Sequence, residues 1–309
     1  MSETAQALRS PTIAPRVAIS VAPATWRDYV TLTKPRIMSL LVLTSVCAMI
    51  AAAHGAPALG ALAGLVVGGA LACGGASALN HVLDRDIDQL MGPRTASRPV
   101  AAGRISPARA TAFGLGLTVL AFVVMVVFTN LLAAMLSLGG GAFYVGIYTY
   151  WLKRTTAQNI VIGGAAGAIP PLAGWAAAHG SLGAGAGWLF LIVLLWTPPH
   201  FWALALLLVR HYAAADVPMM PVVRGPAATA RLVLVYSILL VAVTFAPGVV
   251  GTFGLFYLGA AVVLGAVLVL LAWRLWRESS PTRAGVLFHF SLLYLALLFV
   301  AVAIDAAVR

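Results

Sequence analysis

Hydrophobic and polar positions along this chain fall into long blocks. Nine mostly apolar runs occupy residues 37–53, 58–79, 111–129, 131–150, 160–178, 188–209, 232–250, 252–273 and 285–304. A run of about 20 residues crosses about 30 Å of hydrocarbon at about 1.5 Å per residue. Lipid offers no partner to backbone amides, so such runs are helices. The pattern predicts an all-α polytopic membrane protein, with nine transmembrane helices around a central cavity that opens to the cytoplasm. Two breaks carry that count. If Asn130 or Gly251 were only a kink within one helix, the count of nine would fail.

Composition narrows the class further. The chain is 62% hydrophobic and 9% charged, against about 25% charged residues in soluble domains. Charge placement then sets orientation. With the N-terminus inside, 18 of the 19 Lys and Arg fall before the first span or in the loops after the second, fourth, sixth and eighth, and Arg309 alone lies outside. Positive residues stay on the cytoplasmic side, so the expected location is the plasma membrane with a cytoplasmic N-terminus. The net charge of +11 thereby becomes a topology signal. No RNA- or DNA-binding motif accompanies it, and no nucleic-acid partner is expected. Residues 1–36 read as a cytoplasmic tail preceding a domain at 37–309. That tail is rich in Arg, Ser and Thr and poor in acids, which also describes an organellar transit peptide and a mitochondrial inner-membrane location. Cys47 and Cys73 lie inside spans without a CxxC, so they read as packing residues.

The chemistry concentrates in one loop. The chain has eight carboxylate side chains, and Asp84, Asp86 and Asp88 crowd into five residues at the end of the second span. Arg85, Arg94 and Arg98 stand among and beyond them. Charge at an embedded helix end is costly and marks a functional site by default. Asn80, Asp84 and Asp88 recur every fourth residue, so on a helix they form one stripe about 12 Å long. One oxygen ligand per turn suits Mg²⁺, which binds through one or two carboxylates plus substrate phosphates. No Cys or His stands at zinc spacing. Asp86 points off the stripe, toward a neighbouring arginine. The plainer reading is a solvated, ion-paired helix end, with each arginine an ordinary inside-loop anchor. A second polar, proline-rich loop follows the sixth span within WTPPHFWALALLLVRHYAAADVPMMPVVRG, Trp196 to Gly225. Two such loops on one face would close over a single cavity.

At these residues the chain resembles the UbiA-type intramembrane prenyltransferases. NxxxDxxxD at the end of the second of nine helices is similar to their first acidic motif. The fuller NxxxDRDID and RTxxRP resemble the branch that farnesylates protohaem. YTYWLKRTTAQNIVIGGAAGAIPPLAGW from Tyr148, PPHFWALAL from Pro198 and VPMMPVVRG from Val217 point to the same branch, and the likeness covers about residues 26–305. The resemblance implies transfer of a farnesyl group from farnesyl diphosphate to a vinyl group of haem b, with haem A synthase or oxidase-assembly proteins as partners. It implies that Asn80, Asp84 and Asp88 hold Mg²⁺ on the diphosphate, and that Arg94, Arg98, Lys153 and Arg154 meet phosphate oxygens.

One departure stands out. Where the family places paired aspartates before a tyrosine in the loop after the sixth span, this chain has Arg210 and His211 before Tyr212. Either Asp216, four residues on, serves as the metal ligand of that loop, or Arg210 meets the diphosphate directly. His200, in the PPHF block, is a candidate haem contact, with a hydrogen bond to a carbonyl freed by the prolines as the alternative. His81 and His211 are weaker candidates, and His54, His179 and His289 read as packing or interfacial. Tyr148 or Tyr150 can stabilise an allylic cation. Two other functions fit the pattern less well. One is prenyl transfer to a quinone precursor, against which the branch-specific blocks argue. The other is transport, whose sites lie at the bilayer midplane rather than at its rim.

Overall fold

In a computed structural model, which describes residues 24–309, nine helices are long and apolar enough to span a bilayer. They are Pro35–Ala53, Leu59–Leu83, Pro107–Phe128, Leu131–Thr155, Asn159–His179, Ala184–Leu207, Pro226–Val249, Leu255–Arg277 and Pro281–Val308. Both critical breaks are real. Asn130 caps the fourth span, its side chain accepting from Ala133 N at 2.9 Å, as Asn does at helix starts. Gly251 turns with φ +77°, a conformation that favours glycine.

Each span packs on the next, and the ninth returns to the first, closing a ring. The first span also packs on the fifth and the sixth on the ninth, pinching the ring across its middle. Small residues allow the closest crossings, as expected where lipid gives helices no hydrophobic reason to associate. A Cβ on Gly174 would meet the Ser45 carbonyl oxygen, and the Ser45 hydroxyl donates to Pro170 O at 2.7 Å across the same crossing. Outward faces are apolar: Val119, Val123 and Val127, one turn apart on the third span, are all exposed.

The domain begins earlier than 37. Trp26–Thr33 forms a helix whose N-terminus is closed by a capping box between Thr25 and Asp28. It packs on the second span, where the Ser77 hydroxyl donates to Leu32 O at 2.7 Å, and Arg104 reaches Asp28 at 2.9 Å. The boundary at 36 is therefore corrected, because this short helix buries Leu32 against the bundle. The tail before residue 24, with Arg9 and Arg16, lies outside the described residues.

At the end opposite the acidic loop, Asp305 of the ninth span is buried. It accepts from Gly254 N at 2.5 Å and Tyr257 N at 3.2 Å. A carboxylate thus satisfies the unpaired amides and the positive end of the eighth span.

Candidate active site

The second span ends at Leu83 and a short helix, Arg85–Leu90, follows. The i to i+4 bonds continue through the junction, from Asp84 N to Asn80 O at 2.9 Å and from Asp88 N to Asp84 O at 2.8 Å. The stripe therefore forms as its spacing predicts. It is buried: Asn80, Asp84 and Asp88 are 3%, 1% and 1% exposed.

Each stripe residue meets a cation from a different segment. Lys153, at the end of the fourth span, donates to Asp84 Oδ2 at 2.6 Å. Arg98, in the loop after the second span, donates to Asp88 Oδ1 at 2.6 Å. Lys34 donates to Asn80 Oδ1 at 2.8 Å, and the Asn80 amide donates to Asp84 Oδ2 at 2.8 Å and Thr149 Oγ1 at 3.2 Å. One oxygen of each carboxylate, Asp84 Oδ1 and Asp88 Oδ2, is buried with no partner. An orphaned buried carboxylate oxygen is expensive. Two of them one turn apart match what a hard divalent cation needs, so the residues present fit such an ion. Burial pushes the Asp88 carboxyl up, and Arg98 opposes that shift.

Lys34 was not visible as a site residue in the sequence, where it counted as one basic anchor among many. It joins the helix Trp26–Thr33 to the first span with φ 51°, a left-handed conformation uncommon outside glycine and typical of functional positions. Burial, with Arg98 and Lys153 nearby, pushes its amine down to about 7. The only local signal is the Lys-Pro step, because proline can start a helix but not continue the one before it.

The fourth span reaches the stripe through a π-helical stretch, Phe143–Leu152. Such stretches are rare and cluster at functional sites. The Thr149 hydroxyl donates to Tyr144 O at 2.9 Å, five residues back. This register turns Thr149 and Lys153 to the stripe, and lays Tyr148 against Gly163 and, stacked, on Tyr144 with ring centroids 5.5 Å apart. Tyr150 is 68% exposed, so it faces away and the cation-stabilising role considered for it is withdrawn. Arg154 also turns away. Its guanidinium takes both oxygens of Asp86, at 2.8 and 2.7 Å, and Leu83 O at 2.6 Å. That pair holds the Asp86 carboxyl well below the usual carboxylate range. Asp86 thus pairs with an arginine as expected, and Arg154 is placed off the stripe rather than on it.

The loop after the sixth span meets the first acidic loop, since a Cβ on Gly92 would come 2.9 Å from the His211 ring. Tyr212 is its inward residue: burial pushes its hydroxyl up to about 12, with Arg98 and Asp84 within range. Arg210 and His211 are exposed, as is Arg94 on the short helix Pro93–Ala96. Asp216 is exposed in a left-handed turn at φ 51° and makes no side-chain hydrogen bond or ion pair among the described residues. The structure therefore does not bring Asp216 to the stripe. Among the described residues, no three His, Cys, Asp or Glu side chains gather closely enough to hold a metal ion.

His200 sits deep in the sixth span, its ring stacked on Trp196 at 4.2 Å and Phe288 at 4.8 Å. Its Nδ1 bonds the Ser291 hydroxyl at 2.7 Å rather than a proline-freed carbonyl. Ser291 in turn donates to Phe288 O at 2.7 Å, so it accepts from Nδ1–H and leaves the lone pair on Nε2. His81, beside Asn80, is buried with neither ring nitrogen bonded.

A model of the UbiA prenyltransferase family matches residues 41–302. The chain is 50% identical over 284 residues to the protoheme IX farnesyltransferase of Gloeobacter violaceus, covering 92% of this chain and 93% of that one. It is 48% identical over 292 residues to the protoheme IX farnesyltransferase of Roseiflexus sp. (strain RS-1), covering 94% of this chain and 54% of that protein. The chain thus spans about half the length of several curated relatives it matches. Among solved structures, one of digeranylgeranylglyceryl phosphate synthase superposes with TM-score 0.75 at 17% identity, covering 92% of this chain and 99% of that chain. A UbiA homologue from Archaeoglobus fulgidus bound to GPP and Mg²⁺ superposes with TM-score 0.64 at 15% identity, covering 89% and 99%. These likenesses show a shared fold.

Proposed function

Because the chain belongs to the UbiA prenyltransferase family, we propose that it transfers a farnesyl group from farnesyl diphosphate to a vinyl group of haem b, with water added, giving haem O. The observation that carries this reading is the buried stripe, whose two unbonded carboxylate oxygens lie among Lys34, Arg98 and Lys153. Relatives named protoheme IX farnesyltransferase support the acceptor. An Archaeoglobus homologue solved with GPP and Mg²⁺ supports the donor and the metal.

Asp84, Asp88 and the Asn80 side chain would hold Mg²⁺, which when bound would supply charge neutralisation for the leaving diphosphate. Lys153, Arg98 and Lys34 add fixed positive charge around the same oxygens, where it is worth most because the site is buried. As the bond between the farnesyl C1 and oxygen breaks, the vinyl π electrons form the new carbon–carbon bond. Water then adds to the neighbouring vinyl carbon and gives its proton to the departed diphosphate. His200 suits the porphyrin: Ser291 fixes its tautomer, and Nε2 keeps the lone pair that a haem iron takes. Arg94 and Arg210, exposed at the rim, meet the diphosphate only as it enters.

Incubating the purified protein with haem b, farnesyl diphosphate and Mg²⁺ is expected to give haem O by mass spectrometry. Prenylation of a quinone precursor instead of haem would overturn the acceptor. We place the chain in the plasma membrane with its N-terminus cytoplasmic, on the one-sided distribution of Lys and Arg. Cysteines placed at 99–106 are expected to resist an impermeant label on intact cells. Labelling there would invert the topology.

A further inference from the structure

We propose that this site takes a single divalent cation, and takes it only together with a diphosphate. The inference rests on the prenyl-transfer reading above and concerns how that site is loaded. It follows from an inventory of carboxylates. Of the acids in the described residues, Asp28 pairs with Arg104, Asp86 with Arg154 and Glu278 with Arg283. Asp305 caps a helix at the opposite end, and Asp216 is exposed and does not cluster with Asp84 and Asp88 into a metal-holding group. Only Asp84 and Asp88 remain to hold metal, each offering one unbonded oxygen. Two carboxylate oxygens and one amide make one Mg²⁺ site, since such an ion completes its octahedron with water and phosphate. The loop after the sixth span, which would have to build a second site, presents Arg210, His211 and Tyr212.

Charge balance decides the order of loading. Asp84 and Asp88 are already matched one to one by Lys153 and Arg98, and Lys34 adds a third cation when protonated. A free ion arriving here finds no net negative charge, and it must displace Lys34 from Asn80 Oδ1. Buried charge without compensation is strongly disfavoured. A prenyl diphosphate brings the several negative charges that the bare site lacks, and its oxygens offer all three cations a new partner. Each cation can turn from the stripe to a phosphate oxygen as the carboxylates and Asn80 turn to the metal.

The test counts Mn²⁺ retained by the purified full chain after ultrafiltration, alone and with farnesyl S-thiolodiphosphate, which does not react. Wild type is expected to retain one Mn²⁺ per chain with the diphosphate, and to bind free Mn²⁺ at least about a hundredfold more weakly. Lys153→Met, which releases Asp84 from its ion pair, is expected to tighten free Mn²⁺ binding about tenfold. Two Mn²⁺ per chain, or equal retention without the diphosphate, would overturn the proposal whatever the variant does. A chain that retains one Mn²⁺ with the diphosphate but forms no haem O keeps this inference and refutes the haem reading.

Discussion

Asp84→Asn and Asp88→Asn are each expected to cut prenyl transfer about a hundredfold or more in a protein that still inserts and folds, whereas Asp86→Asn keeps most of its activity. The amides preserve the shape of the stripe and can still accept from Lys153 and Arg98. They remove the anionic oxygens that a metal ion needs. Loss of one such preorganised electrostatic partner costs about 10² to 10³ in kcat, read as haem O formed per minute at saturating farnesyl diphosphate. Asp86 lies off the stripe, 60% exposed and paired with Arg154, and exposed pairs contribute at most about 1 kcal/mol. Equal losses at all three positions would mean that the ladder through Asp84 is not helical in the working enzyme.

Two adjacent residues give the second large contrast. Lys153→Met leaves Asp84 buried without its direct ion-pair partner, and breaking a buried pair from one side costs about 3–5 kcal/mol. Thermal unfolding in detergent is expected to fall by several degrees, and kcat/KM for farnesyl diphosphate by about a hundredfold or more. Arg154→Met loses only a partly exposed pair and is expected to change kcat/KM by no more than a few fold. Similar losses in both variants would show that the π-helical register of the fourth span is misplaced.

The spans were readable because lipid enforces long apolar runs, and both short breaks carried their own turn chemistry at Asn130 and Gly251. The stripe was readable because a four-residue spacing is a local property. Its cations were harder. Arg98 stood out beside the acids in the loop, Lys153 came from the family likeness, and Lys34 escaped because its partner Asn80 is 46 residues away and nothing local separates it from other inside-loop lysines and arginines. Arg154 was misplaced because one π-helical stretch rotates Lys153 inward and Arg154 outward, and no residue in YTYWLKRT announces that change. Asp216 looked like a substitute acid by proximity in sequence. It is exposed and joins no metal-holding group of acids among the described residues. The helix Trp26–Thr33 was missed because it is too short for an apolar run and is held by Leu32, Asp28 and the capping box.

The ring closes between its first and ninth spans, and this divides the molecule in time as well as in space. Chains are synthesised and inserted N-terminus first. Lys34, Asn80, Asp84, Asp88, Arg98 and Lys153 all lie in the first four spans and the segments before and between them, so the stripe and its cations can assemble early in translation. Trp196 and His200 come with the sixth span, while Phe288 and Ser291 come with the last. The surroundings of His200, where we propose the porphyrin binds, therefore exist only when synthesis is nearly done, and the contact that seals them joins opposite ends of the chain, the slowest kind to form. A nascent chain paused before its ninth span would be able to hold an allylic diphosphate with its acceptor pocket still open to lipid.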